Sequence, residues 1–167
     1  MNGQWSDKLE SDQVVCFCSE MRAKFDGTLP EISLYFDDSD RLLQAVELLV
    51  RNSNIPQGTM CRMGSNKRVQ ISGKYSTADL LRLIRDGQHV LLKKSFGLPD
   101  IGVGVLEESL RLDFRPGPEW SDEQIVRLFE TLRVIKDKVA FSDIYLDEME
   151  EHFSRAGASG FQELLEE

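Results

Sequence analysis

Between residues 31 and 96 the apolar residues recur every second position, then with the helical period of about 3.6, and so on in turn, which narrows the folds open to the chain. Ile32-Ser33-Leu34-Tyr35-Phe36, just after Pro30, reads as a strand that ends in Asp37-Asp38-Ser39-Asp40. A helix is expected over 39–52, capped by Asp38 or Ser39, with Leu42, Leu43, Val46, Leu49 and Val50 on one face. Two short strands follow, 59–63 and 68–72, joined as a hairpin by Gly64-Ser65-Asn66-Lys67. Ser76 or Thr77 then caps a second helix that stops at Gly87, and 89–96 returns to strand. The order is β-α-β-β-α-β.

That order resembles the ferredoxin-like split unit, which implies two helices over one face of an antiparallel sheet. Beyond Leu98-Pro99-Asp100, the segments 101–106 and 110–114 form a second hairpin, turning at Glu107-Glu108-Ser109. Its alternation of Leu110, Leu112 and Phe114 with Arg111, Asp113 and Arg115 marks a sheet with one wet face. Ser121-Asp122-Glu123-Gln124 is a capping box, and the helix it opens runs to about Lys138 with Ile125, Leu128, Phe129, Leu132 and Ile135 as its buried stripe. Ser142 is expected to cap a helix over 142–155, with a hinge at 156–160 and a last helical turn at 161–165. Near the start, Val14, Cys18, Met21 and Phe25 fit one helical face with Ser11 as cap and Asp26-Gly27 as stop, although Val14-Val15-Cys16-Phe17 also suits a short strand. The expectation is one α+β domain: an N-terminal helix or strand segment over 1–29, a sheet core over 31–115 with a ferredoxin-like β-α-β-β-α-β unit extended by a hairpin, and C-terminal helices over 121–167.

Composition enters through charge. The chain of 167 residues carries a net charge of -9, yet residues 62–94 are basic, with Arg62, Lys67, Arg68, Lys74, Arg82, Arg85, Lys93 and Lys94 against Asp79 and Asp86. From 140 onward Arg155 is the single basic residue in an acidic run. An acidic total repels nucleic acid and anionic membrane at a distance. The basic stretch also lacks the strand aromatics with which RNA-recognition motifs stack bases, since Arg68-Val69-Gln70-Ile71-Ser72 has none. No stretch reaches the ~18 apolar residues of a membrane span. Met1 to Asp7 lack the order of a secretory signal, so a cytoplasmic location is expected. Cys16, Cys18 and Cys61 are odd in number and read as reduced thiols. With His89 and His152 they could supply metal ligands, but the paired C-x-x-C spacing of zinc sites is missing.

Few groups could carry chemistry. Asp38-Ser39-Asp40, at the end of a strand, resembles the D-x-D start of haloacid-dehalogenase-like phosphatases over those residues alone, which implies Mg²⁺ held by Asp37, Asp38 and Asp40 for phosphoryl transfer. Leu42 departs from that pattern, and helix capping accounts for the same residues. Gly102-Val103-Gly104 lacks the third glycine and the helix of a nucleotide loop. His89 reads as a satisfied sheet residue and His152 as part of a solvated acidic helix face, so no triad is in prospect.

The acidic C-terminal segment weighs most. Asp143, Asp147, Glu148, Glu150 and Glu151 crowd one expected helix, where like charges one turn apart cost roughly 0.2–0.5 kcal/mol per pair. A basic partner would relieve that repulsion, while Tyr145, Met149 and Phe153 would pack the helix onto the body. The leading expectation is a non-enzymatic binding protein without cofactor, similar in character to immunity proteins and toxin inhibitors, that meets a basic protein partner through these five carboxylates. The competing expectations are the Mg²⁺-dependent enzyme and a small-molecule-binding or oligomeric scaffold using the open sheet face.

Overall fold

In the computed structural model, residues 8–23, 31–54, 59–62, 68–70, 76–114, 117–146 and 153–166 are described. They form helices α1 (Asp12–Ala23), α2 (Ser39–Arg51), α3 (Thr77–Arg85), α4 (Asp122–Val139) and α5 (Arg155–Leu165). The strands are β1 (Glu31–Tyr35), β2 (Thr59–Arg62), β3 (Arg68–Gln70), β4 (Gln88–Leu92), β5 (Ile101–Leu106), β6 (Ser109–Asp113) and β7 (Asp143–Leu146). All seven join one antiparallel sheet in the order β3-β2-β4-β5-β6-β1-β7. The protein is therefore α+β, with its helices gathered around one sheet.

The register sorts the side chains into two faces. Val90, Val103, Leu112, Ile32 and Leu146 stand opposite one another in one row across β4, β5, β6, β1 and β7. All are buried, in one continuous core with the stripes of the helices, including Leu49 and Val50 of α2 and Phe129 and Leu132 of α4. One residue out of phase, the opposite face carries His89, Gly104, Arg111, Ser33 and Tyr145. The alternation of Leu110 and Leu112 with Arg111 and Asp113 thus marks a polar face, as expected.

The helix boundaries follow their caps. Ser121 accepts from the backbone of Gln124 and opens α4, and Ser76 and Asp79 form a reciprocal capping box on α3. Of the segment at 11–25, Asp12–Ala23 is helix rather than strand: Val14, Phe17, Cys18 and Met21 are buried on one side of α1, while Phe25 lies outside the described residues. Its expected stop, Asp26-Gly27, lies outside the described residues, as do the hairpin turn Gly64-Ser65-Asn66-Lys67 and Arg115.

Four expectations are corrected. The ferredoxin-like order would seat β1 beside β4, but β5 and β6 stand between them. Short connections favour the local meander β4-β5-β6, and the apolar residues of β1 then pair against β6, Ile32 with Leu112 and Leu34 with Leu110. The start of the expected helix at 142–155 is strand β7. Ala140 takes a left-handed φ of 49° that ends α4, and Ser142 donates from both N (2.8 Å) and Oγ (3.0 Å) to the Tyr35 carbonyl. Asp143 to Leu146 then continue as a ladder along the free edge of β1. The expected hinge at 156–160 is helix. Ser154 caps α5, which runs through both glycines because Gly160 lies against the backbone of α1 at Gln13 and Gly157 against the Glu20 side chain. The turn of the second hairpin is also one residue shorter than expected, because Ser109 already pairs with Leu106.

Candidate functional site

β1 delivers the aspartate cluster to one end of the sheet. Phe36, the residue after β1, turns into the core, and its N–H donates to the Glu108 carbonyl at 3.1 Å. That bond ties the start of α2 to the β5–β6 turn. Asp38 caps α2, with Oδ1 accepting from the Asp40 N–H at 2.9 Å. Asp37, Asp38 and Asp40 do not converge: among the described residues no three His, Cys, Asp or Glu side chains are placed to share a metal ion. The donor set does not fit the expected Mg²⁺ site, and an antiparallel β1 adds nothing to the phosphatase resemblance.

What the cluster does build is a cleft of about 490 Å³ between the start of α2, the β5–β6 turn and the end of α3. Phe36, Leu42, Leu43 and Val105 give it an apolar floor. Asp37, Asp38, Glu107 and Glu108 line it with carboxylates, against Arg85 as the one cationic lining residue. Glu107 holds its place in the two-residue turn with a left-handed φ of 54°. The cleft can take an apolar group that carries positive charge, since its floor rewards desolvation and its mouth focuses a negative field.

Asp143, first of the five expected partner-binding carboxylates, lies at the same end of the sheet, opposite Tyr35 in the β1–β7 register. It is exposed and sits on an edge strand rather than a helix. Asp147, Glu148, Glu150 and Glu151 lie outside the described residues, with Met149 and His152. Beside Asp143 the rings of Tyr35 and Tyr145 meet edge to face at 5.5 Å. Tyr145 is not packed onto the body as expected; it is 54% exposed. Asp143, through its charge and then a hydrogen bond, raises the Tyr145 phenol above its usual range.

The polar sheet face holds a second group of ionisable residues. His89 Nε2 pairs with Asp113 Oδ2, across the intervening strand β5. Gly102 and Gly104 make that crossing possible, since a Cβ on Gly102 would collide with both the imidazole and the Asp113 carboxylate. The Gly102-Val103-Gly104 motif is thus a floor for a histidine ring. Next to it, Arg111 and Glu31 form an ion pair at 2.9 Å. His89 is a sheet residue with a partner, as expected, but Asp113 as that partner went unread. The available signal was two glycines at alternate positions of a strand, which leave room for a side chain from a neighbour.

The cysteines are dispersed. Cys18 is buried, and burial, followed by the charge of Asp122, pushes its thiol up to about 12. Cys16 lies on the other side of α1, with Sγ 3.7 Å from both Glu20 Oε1 and Ser154 Oγ. Cys61 is in β2, opposite His89 in the register. Lys93 and Lys94, from the basic stretch, follow β4, while the side chains of Arg62, Lys67, Arg68 and Lys74 lie outside what is described. Among the described residues no helix is long and apolar enough to cross a membrane. No protein-family model, no curated protein and no solved structure matches the chain.

Proposed function

We propose that the protein is a non-enzymatic binding protein, in the manner of an immunity or inhibitor protein, that seats a basic segment of a protein partner in the acidic cleft at the end of its sheet. The observation that supports this reading is the pairing of an apolar floor, Phe36, Leu42, Leu43 and Val105, with the carboxylates of Asp37, Asp38, Glu107 and Glu108. A solvated acidic surface needs no such floor. Complementary charge speeds encounter, and the floor gives a partner side chain surface to bury once it arrives. Asp143 extends the acidic end beyond the cleft, so part of the expected contact surface contributes from an edge strand. A cytoplasmic setting agrees with free thiols at Cys16 and Cys18.

Isothermal titration with a synthetic peptide alternating Lys and Leu, and with its Glu–Leu counterpart, tests the reading. The basic peptide is expected to bind and the acidic one to fail. Asp37→Asn with Glu108→Gln, both exposed and neither a cap, is expected to weaken binding roughly tenfold and to flatten its salt dependence. Equal binding of both peptides, or an unchanged affinity in the double variant, would overturn it.

A further inference from the structure

Large apolar side chains on this protein are mostly buried; the exposed ones among the described residues are Val15, Tyr35, Val134 and Tyr145. Two of these four are neighbours. Tyr35 and Tyr145 stand on the same face of the edge strand β7 and its neighbour β1, in ring contact at 5.5 Å and 83°, and are 40% and 54% exposed. An edge-to-face pair leaves ring face uncovered, in keeping with the exposure of both tyrosines. Asp143 lies between the two in the ladder, opposite Tyr35 and two residues before Tyr145. Tyr35 also pairs with Ser109, directly after the Glu107-Glu108 turn that lines the cleft.

We propose that Tyr35, Tyr145 and Asp143 form a station for a guanidinium group, so that the basic segment recognised by the protein carries an arginine that stacks on the tyrosine pair. The proposal rests on the binding reading above and names the chemistry of its partner. Aromatic faces attract cations, and a planar guanidinium stacks on a ring while its in-plane N–H groups still reach a carboxylate. An ammonium makes the charge contact without the stack. Asp143 supplies the carboxylate: it accepts from the Ile144 N–H at 2.8 Å and from the Tyr145 phenol, contacts that orient the group and still leave lone pairs of its two oxygens for a guanidinium. The surroundings favour a cation, with Asp37, Glu107 and Glu108 exposed at the same end of the sheet. The same physics already operates within the chain nearby, where Lys136 Nζ sits 5.6 Å from the centre of the Phe141 ring.

The experiment is an NMR titration of the full chain with N-acetyl tetra-arginine amide and, separately, N-acetyl tetra-lysine amide, peptides of equal charge. The arginine peptide is expected to bind roughly threefold or more tightly than the lysine peptide and to shift the ring resonances of Tyr35 and Tyr145. Tyr145→Leu, which keeps a strand-compatible residue at an exposed position, is expected to bring arginine down to the lysine level; Asp143→Asn should do so in part. Asp37→Asn with Glu108→Gln is expected to weaken both peptides alike. Equal affinities in the parent protein, or an arginine preference that survives Tyr145→Leu, would overturn the station and leave the acidic-cleft reading standing. Failure of both peptides to bind would overturn both. A concentration-dependent dimer that buries Tyr145, seen by sedimentation, would assign the aromatic pair to a second copy of the chain and also overturn the station.

Discussion

His89 reaches Asp113 over a strand that is bare beneath it, at Gly102 and Gly104, and the arrangement is only as good as that floor. Gly102→Ala would place a methyl group where the imidazole and the Asp113 carboxylate now meet. The variant is expected to lose about 2 kcal/mol, visible as a lower urea midpoint, through overpacking and the loss of a charge-assisted hydrogen bond. In a His89→Ala background the same change should cost clearly less; an equal cost in both backgrounds would show that the ring does not rest on Gly102. A second prediction concerns Cys18. Burial opposes the thiolate and pushes the thiol up to about 12 in the folded chain, against an ordinary 9.0. A raised folded value means that stability is intact below the unfolded value and is lost as pH climbs from about 9 through about 12. Cys18→Ala is expected to remove that part of the alkaline slope. A parent and variant whose unfolding free energies decline in parallel over this interval would refute the assignment.

Elements were legible from sequence where one signal governed them and illegible where a neighbour decided. α2 and α4 follow from apolar periodicity together with the side-chain caps at Asp38 and Ser121, all local features. The second hairpin follows from alternation on both arms. β7 does not: Asp143-Ile144-Tyr145-Leu146 is short, and what makes it a strand is the free edge of β1 far away in sequence. Glycines punctuate isolated helices, so the sequence points to a hinge at 156–160 before a last turn at 161–165, whereas in α5 Gly157 and Gly160 serve close packing against α1. The acidic cleft was half legible, since Asp37 and Asp38 stand out, while Glu107 and Glu108 join them only through the sheet order. The turn carries its own test. Glu107 adopts φ 54°, which a side chain resists by about 1 kcal/mol and glycine does not. Glu107→Gly should therefore raise the thermal midpoint while weakening binding of the Lys–Leu peptide, separating fold from function at one position. A lower midpoint would mean that the Glu107 side chain stabilises the turn.

Across the whole molecule, segments far apart in sequence are joined, Lys8 and Ser11 meeting Glu163. Lys8 Nζ donates to the Glu163 carbonyl at 3.1 Å and Ser11 Oγ to Glu163 Oε2 at 2.7 Å, spanning nearly the full length of the sequence. Phe17 of α1 lies at the centre of an aromatic group with Phe129, Phe153 and Phe161, its ring centroids 5.4–5.6 Å from theirs. α1 and α5 thus close a helical layer that α4 anchors, and Arg22 binds Asp122 at 2.7 Å to hold α1 in place. Loop closure over such a separation is entropically costly, so the pair must pack tightly to persist. Gly160 is where tightness is greatest: a Cβ there would strike the Gln13 carbonyl, a backbone atom inside a helix that cannot swing aside. Gly160→Ala is expected to cost about 1–3 kcal/mol, even though alanine is the better helix former, because packing outweighs propensity here. The loss should be local as well as global. Hydrogen exchange should speed up first in α1 and α5, while β5 and β6, central in the sheet, keep their protection. If instead the sheet loses protection together with the two helices, the α1–α5 pair is part of one cooperative unit with the sheet and not a separable clasp.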